Sequence, residues 1–193
     1  MSEGISTGAL DAPRPDRVNE TRDERGLVLS YRWFSPAHLF MLVFCVFWIG
    51  FLVVWYGLAL SRHAGPADPM VWFPLLHVAV GIGITYSTIA GFVNRTTITV
   101  GGGELTVRHG PLPWPGGRVV PAHEIVQLYR EERTTNTRSG RSFRHELNAT
   151  TGDGRKVRLV ARVPGADLAL YLEHAIEREL GLVDQHVPGE MPK

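Results

Sequence analysis

Residues 34–60 read FSPAHLFMLVFCVFWIGFLVVWYGLAL, and no Asp, Glu, Lys or Arg occurs anywhere from 33 to 61. At about 1.5 Å of rise per residue, a helix of that length exceeds the roughly 30 Å of bilayer hydrocarbon. A second run, PMVWFPLLHVAVGIGITYSTIAGFV at 69–93, lies in a charge-free stretch from 69 to 94. Both can cross a bilayer with some tilt or interfacial overhang. Outside these 55 of 193 residues lie a head (1–32), a connection (62–68) and a 99-residue tail (95–193). Only the tail is long enough to build a soluble core of any size.

The polar ends narrow the class. Cys45 is the only cysteine, which excludes a disulfide-stapled fold and a cysteine metal cluster. The head carries six acidic and five basic residues and no apolar core, so it fails as a secretory signal. Its Ser, Gly, Asp, Glu and Arg content leads us to expect disorder over 1–26 and no fold in the head as a whole. Orientation follows from the basic residues flanking the spans. Arg14, Arg17, Arg22, Arg25 and Arg32 precede the first span and Arg95 follows the second, whereas the connection carries only Arg62. Head and tail are therefore expected in the cytoplasm, with 62–68 outside. The Asn-x-Thr matches at Asn94 and Asn148 then never meet a glycosylation machinery.

Within the hairpin, Trp33, Trp55, Tyr56 and Trp72 sit where rings settle at headgroup level. Ala79, Gly83, Ser87 and Gly91 recur every four residues and predict a close seam with the first span through Gly50 and Gly57. A seam with a second copy of the chain is the alternative. His38 and His77 lie near span ends and are expected to reach headgroups rather than form an ion path.

In the tail the hydrophobic period changes to two. Strands are expected at 96–100, 104–109, 119–121, 124–130, 143–150 and 157–163, with Gly101 to Gly103 and Asp153-Gly154 as turns. In the last of these Val157, Leu159, Ala161 and Val163 are expected to share the core face. After Pro164-Gly165 the period is helical: Leu168, Tyr171, Leu172, Ala175, Ile176 and Leu180 form an apolar stripe, with Glu173, Glu177 and Arg178 opposite. Such a helix closes one end of a curled sheet.

N94-RTTITV, G103-ELTVRHGPLPWPGG, P121-AHEIVQLY and A169-LYLEHAIERELG, following a two-helix hairpin, resemble the bacterial membrane-anchored PH-like domain proteins over residues 33–181. The resemblance implies a membrane α-helical hairpin plus a β-rich α+β domain, a PH-like curled antiparallel sheet closed by a C-terminal helix. It places spans at 33–61 and 69–94, the PH-like domain at 95–181 and a flexible tail at 182–193. It also implies a multi-pass protein of the bacterial inner membrane and no particular chemistry. The polar hairpin between Arg130 and Arg144 is longer than a compact member of that family needs.

No catalytic motif survives inspection. His123-Glu124 and His145-Glu146 lack the second His four residues on that a zinc helix requires, since Gln127 and Ala149 stand there. His109 alternates with core residues and reads as structural. No cofactor, metal or nucleic acid is expected, and an enzyme or transporter is the weakest class. The charge pattern is more informative. From Arg130 to Arg162 nine basic residues stand against four acidic ones. Arg130, Arg133, Arg138, Arg141, Phe143 and Arg144 are candidates for contact with anionic headgroups, each basic group contributing about 1 kcal/mol near such a surface. A solvated hairpin is the competing reading. A protein partner held by a sheet edge or by Trp114 in the Pro111 to Pro115 loop is the alternative function, Trp114 being expected first to cover the barrel.

Overall fold

The computed structural model describes residues 14–24, 26–62, 65, 68–137 and 140–182, leaving aside the side chains of 70, 134–137 and 140–144. The chain divides into two compact units, Trp33–Asn94 and Met1–Arg32 with Arg95–Lys193.

The first unit is helical: α1 (Ala37–Ser61), α2 (Pro69–Trp72) and α3 (Leu75–Val93). Pro36 and Pro74 stand just before α1 and α3, where a missing N–H costs no hydrogen bond. α1 and α3 are long and apolar enough to cross a membrane, about 37 and 28 Å at helical rise. Their outer surface is left uncovered: Phe40 and Phe47 are each 74% exposed.

The two helices meet on a seven-residue repeat. His38, Cys45, Leu52 and Ala59 line α1, and Pro74, Gly81 and Thr88 line the opposing side, joined by Gly91. A Cβ on Gly81 would lie 2.8 Å from the Trp48 Nε1, and one on Gly91 would lie 2.1 Å from the His38 ring. Cys45 Sγ lies 3.6 Å from Thr88 Oγ1. This corrects the expected four-residue seam. Of its members only Gly91 faces α1; Ala79, Gly83 and Ser87 are exposed, as are Gly50 and Gly57, which have nothing within 4 Å of an added Cβ. A four-residue repeat suits a right-handed crossing, whereas bulky Trp48 and Leu52 set a wider, heptad-type contact.

The second unit holds β1 (Val18–Asp23), β2 (Gly26–Arg32), β3 (Arg95–Gly101), β4 (Glu104–Gly110) and β5 (Arg118–Pro121) in one antiparallel sheet of that order. β6 (Ile125–Thr137), β7 (Gly140–Thr151) and β8 (Lys156–Val163) form a second, followed by α4 (Ala166–Leu180). The six strands expected between 95 and 163, and the helix, are present. The head differs from expectation. β2 pairs with β3 from Leu27↔Val100 to Arg32↔Arg95, because Leu27, Leu29 and Tyr31 alternate into the core while Val28 and Ser30 do not. The helical unit is thus an insertion between two adjacent strands of one sheet.

Packing joins the sheets. Leu27, Leu29, Ile98, Leu105 and Val107 of the first, Leu128, Leu147 and Leu159 of the second, and Leu168, Leu172 and Ile176 of α4 are all buried. The Tyr31 hydroxyl donates to the Arg162 carbonyl at 3.4 Å, linking β2 to β8. Burial pushes that phenol up to about 12. Two faces depart from the simple periods. In β8, Leu159, Val160 and Val163 are buried and Ala161 is exposed, because register shifts near Leu147 change the phase against β7. In α4, Glu173 and Glu177 are buried together with the apolar stripe, not on a solvated face.

Candidate functional site

The β6–β7 hairpin outruns its neighbour. β7 pairs with β8 only between His145↔Val163 and Thr150↔Lys156, but with β6 out to Thr137↔Gly140. Beyond residue 132 the hairpin is therefore a two-stranded arm among the described residues, with five residues of β6 spanning about 17 Å. Register puts Arg133 opposite Arg144, Thr134 opposite Phe143 and Asn136 opposite Arg141. Arg138 lies outside the described residues, as do the side chains of Arg141, Phe143 and Arg144.

The arginines expected as one surface group separate by environment. Arg130 is buried, and its Nε donates to Glu173 of α4. It is a core residue, not a surface contact, because its guanidinium meets Glu173 where α4 packs against β6. Arg133 is exposed and reaches Glu131 at 3.7 Å and Glu146 at 3.5 Å. Arg158 reaches the other oxygen of Glu146 at 3.6 Å, and Asn148 donates to Glu131 at 3.3 Å. The root of the arm is thus close to charge-balanced, and its basic surplus lies farther out.

The Asp153 turn is self-contained. Asp153 accepts from Thr151 Oγ1 at 2.6 Å, from the Arg155 N–H at 3.2 Å and from the Arg155 side chain. The Thr151 and Arg155 hydrogen bonds hold its carboxyl at about 2, well below the usual range. An open cleft beside this turn is lined by Arg118, Val119, Pro121, Glu124 and Arg155.

Trp114 is half-buried in the loop after β4. That loop folds back on His109, since a Cβ on Gly116 would lie 3.3 Å from His109 Nε2. The His109 Nδ1 lies 3.1 Å from Thr96 Oγ1. Burial lowers its pKa below the ordinary imidazole value, against a backbone hydrogen bond at Gly116 that raises it. His123 and Glu124 stand on a 3-10 turn rather than a strand. Among the described residues no three His, Cys, Asp or Glu side chains are grouped to hold a metal.

In the helical unit, Trp55 packs on Phe51 and Phe73 at 5.9 and 6.0 Å, and the Tyr56 hydroxyl donates to the Val71 carbonyl at 3.3 Å. Trp72 is exposed and Trp33 half-buried. His38 is engaged locally, its Nδ1 accepting from the Ser35 N–H at 3.0 Å. His77 lies against Trp48 and Phe73 with centroids 5.7 and 5.5 Å away. Asn94 and Asn148 are buried, which keeps both Asn-x-Thr matches from any modifying enzyme. Sequence reasoning missed the polar contacts between the head and α4, Tyr171 with Glu20 and Arg22 with Glu179. The alternation of Leu27, Leu29 and Tyr31 was the signal that could have found the head strands. No family model matches the chain, and no curated protein matches it.

Proposed function

We propose that this chain is a multi-pass protein of the bacterial inner membrane whose cytoplasmic, PH-like module presents a basic hairpin arm to anionic headgroups, without catalysing a reaction. The observation that carries the reading is the arm: β6 and β7 run on past β8 with Arg133 opposite Arg144 in register. Arg133 is paired with Glu131 and Glu146 at the root of the arm, and Arg141 and Arg144 beyond it supply the basic charge that an anionic surface attracts. The uncovered apolar surface of α1 and α3 supports a membrane anchor, because water would leave it unsatisfied. Head and tail form one folded unit, so both lie on the same side of any bilayer that the helices cross. The arginines flanking the spans favour the cytoplasmic side. The resemblance to PH-like proteins is supported by a three-stranded sheet and a C-terminal helix added to the first sheet.

The test uses the full chain in lipid nanodiscs, with Cys45→Ser and Ser142→Cys and an environment-sensitive fluorophore on the new thiol. We expect a blue shift in anionic discs that high salt reverses. Equal spectra in anionic and zwitterionic discs would sink the proposal. A reporter fused after Lys193 is expected to be active only in its cytoplasmic format.

A second reading is a partner adaptor. It is favoured by Val119 on edge strand β5 and nearby Val126, 58% and 53% exposed. A protein partner recovered by crosslinking in intact membranes and lost on Trp114→Ala or Val119→Asp would support it.

A further inference from the structure

β1 adds little to the core that it borders. β2 already sends Leu27, Leu29 and Tyr31 inward, each at most 2% exposed, whereas β1 buries only Val18. Asn19, Thr21, Arg22 and Asp23 are exposed, and Asn, Glu and Asp are poor strand formers. Hydrophobic burial therefore does little to place this strand. Specific polar contacts hold it instead.

Those contacts recur at alternate positions. Val18 is buried, Glu20 accepts a hydrogen bond from the Tyr171 hydroxyl, and Arg22 pairs with Glu179 at 2.8 Å. Residues 18, 20 and 22 share one face of a strand. Tyr171 and Glu179 lie eight residues apart on α4, about 12 Å along its axis. The β2 edge supplies the backbone ladder, from Val18↔Tyr31 to Asp23↔Gly26. Together, the β2 edge and this helix face form a groove that reads an extended segment by main-chain pairing and by side chains at every second position, the strand-addition mode of peptide recognition.

We propose that this groove is a docking site for an extended segment of another protein with the pattern apolar-x-acidic-x-basic, and that β1 is its displaceable intramolecular occupant. The proposal is independent of the hairpin arm and of what the arm touches. β1 connects to β2 by a single short turn, so release leaves β2 through β5 and the second sheet in place. A tethered occupant lowers the apparent affinity of an external segment by its effective concentration. The groove is therefore read by partners only where β1 is released or outcompeted.

Two measurements on the full chain in nanodiscs test this. In hydrogen exchange on the unaltered protein, the amides of 18–23 are expected to exchange at least tenfold faster than those of 27–31 and 96–100. Equal protection of the three segments would overturn the proposal. In the second, Val18→Asp, Glu20→Lys and Arg22→Glu are combined to release β1, and a fluorescent peptide of residues 14–24, RPDRVNETRDE, is added. The peptide is expected to bind this variant at least tenfold more tightly than a scrambled peptide, and to bind the unaltered chain at least tenfold more weakly. Adding Glu179→Arg should weaken that binding several-fold, and a peptide with Arg22→Glu should restore it. Equal binding of native and scrambled peptides would overturn the proposal. So would loss of protection at 27–31 in the released variant, because the core would then depend on β1.

Discussion

Arg130 of β6 and Glu173 of α4 form an ion pair from which solvent is excluded, with 3% and 0% of their side chains exposed. It fastens the closing helix to the second sheet at a point where the sequence pattern places Arg in an exposed hairpin and Glu on a solvated helix face. Desolvating both charges is costly, and their mutual attraction offsets that cost only while both are present.

Removing one partner should therefore be severe. Arg130→Met or Glu173→Gln is expected to cost about 3–5 kcal/mol in denaturant unfolding of the β unit. Arg130→Met combined with Glu173→Leu is expected to regain most of that loss. Arg133→Ala, at an exposed pair, should cost under about 1 kcal/mol. Equal effects at 130 and 133 would contradict the burial described.

The helix seam makes a paired prediction. Gly91→Ala places a methyl group against the His38 ring, which is held by the Ser35 N–H and packs near Phe34 and Phe92. It should lower the thermal stability of the helical unit in detergent. Gly83→Ala, with open space at its Cβ, should leave it unchanged or slightly raised. The reverse order would restore the four-residue seam.

Gly26 has φ +110°, and a Cβ there would lie 2.2 Å from the Val100 carbonyl oxygen. Gly26→Ala is expected to cost about 1–3 kcal/mol through backbone strain, with further loss from displacing β3. Amide exchange at 27–31 and 96–100 should accelerate together, and unaltered exchange would contradict the β2–β3 register.

High pH should loosen the β unit. Tyr31 is raised to about 12 by burial, and Tyr171 to about 12 by burial and then by the Glu20 carboxylate. Folding favours the protonated phenols, so their contribution is intact below pH 10 and is lost as pH rises towards 12. For Tyr31 the loss approaches about 3 kcal/mol. In ultraviolet titration, Tyr31→Phe and Tyr171→Phe should each remove one late-titrating phenol.

His109 titrates in the opposite sense of stability. Its pKa is lowered by burial, so the unfolded chain takes up the proton first and stability falls as pH drops below 6.5. Imidazole shifts followed by NMR should give a midpoint below the ordinary value, and a midpoint at that value would place His109 in solvent.

Much of this protein is legible locally. Charge-free runs of 29 and 26 residues define α1 and α3, and two-residue alternation between 95 and 163 defines six strands, because both signals depend only on neighbours along the chain. The Ala166–Leu180 helix follows in the same way from its stripe and from Gly181. Composition misleads where long-range partners decide. Residues 18–32 are polar enough to read as disordered, yet Leu27, Leu29 and Tyr31 find β3 across 62 inserted residues. Arg130 is a core residue only because Glu173, 43 positions away, meets it. Which small residues form the helix seam depends on the crossing that Trp48 and Leu52 impose, and a four-residue repeat alone cannot specify a crossing. The sequence by itself therefore determines the six strands and closing helix of the tail, and which helices are apolar enough for a bilayer. Tertiary structure alone decides that the head belongs to the sheet, which arginine is buried, and where the basic arm leaves the domain, because each depends on contacts between segments far apart in the chain.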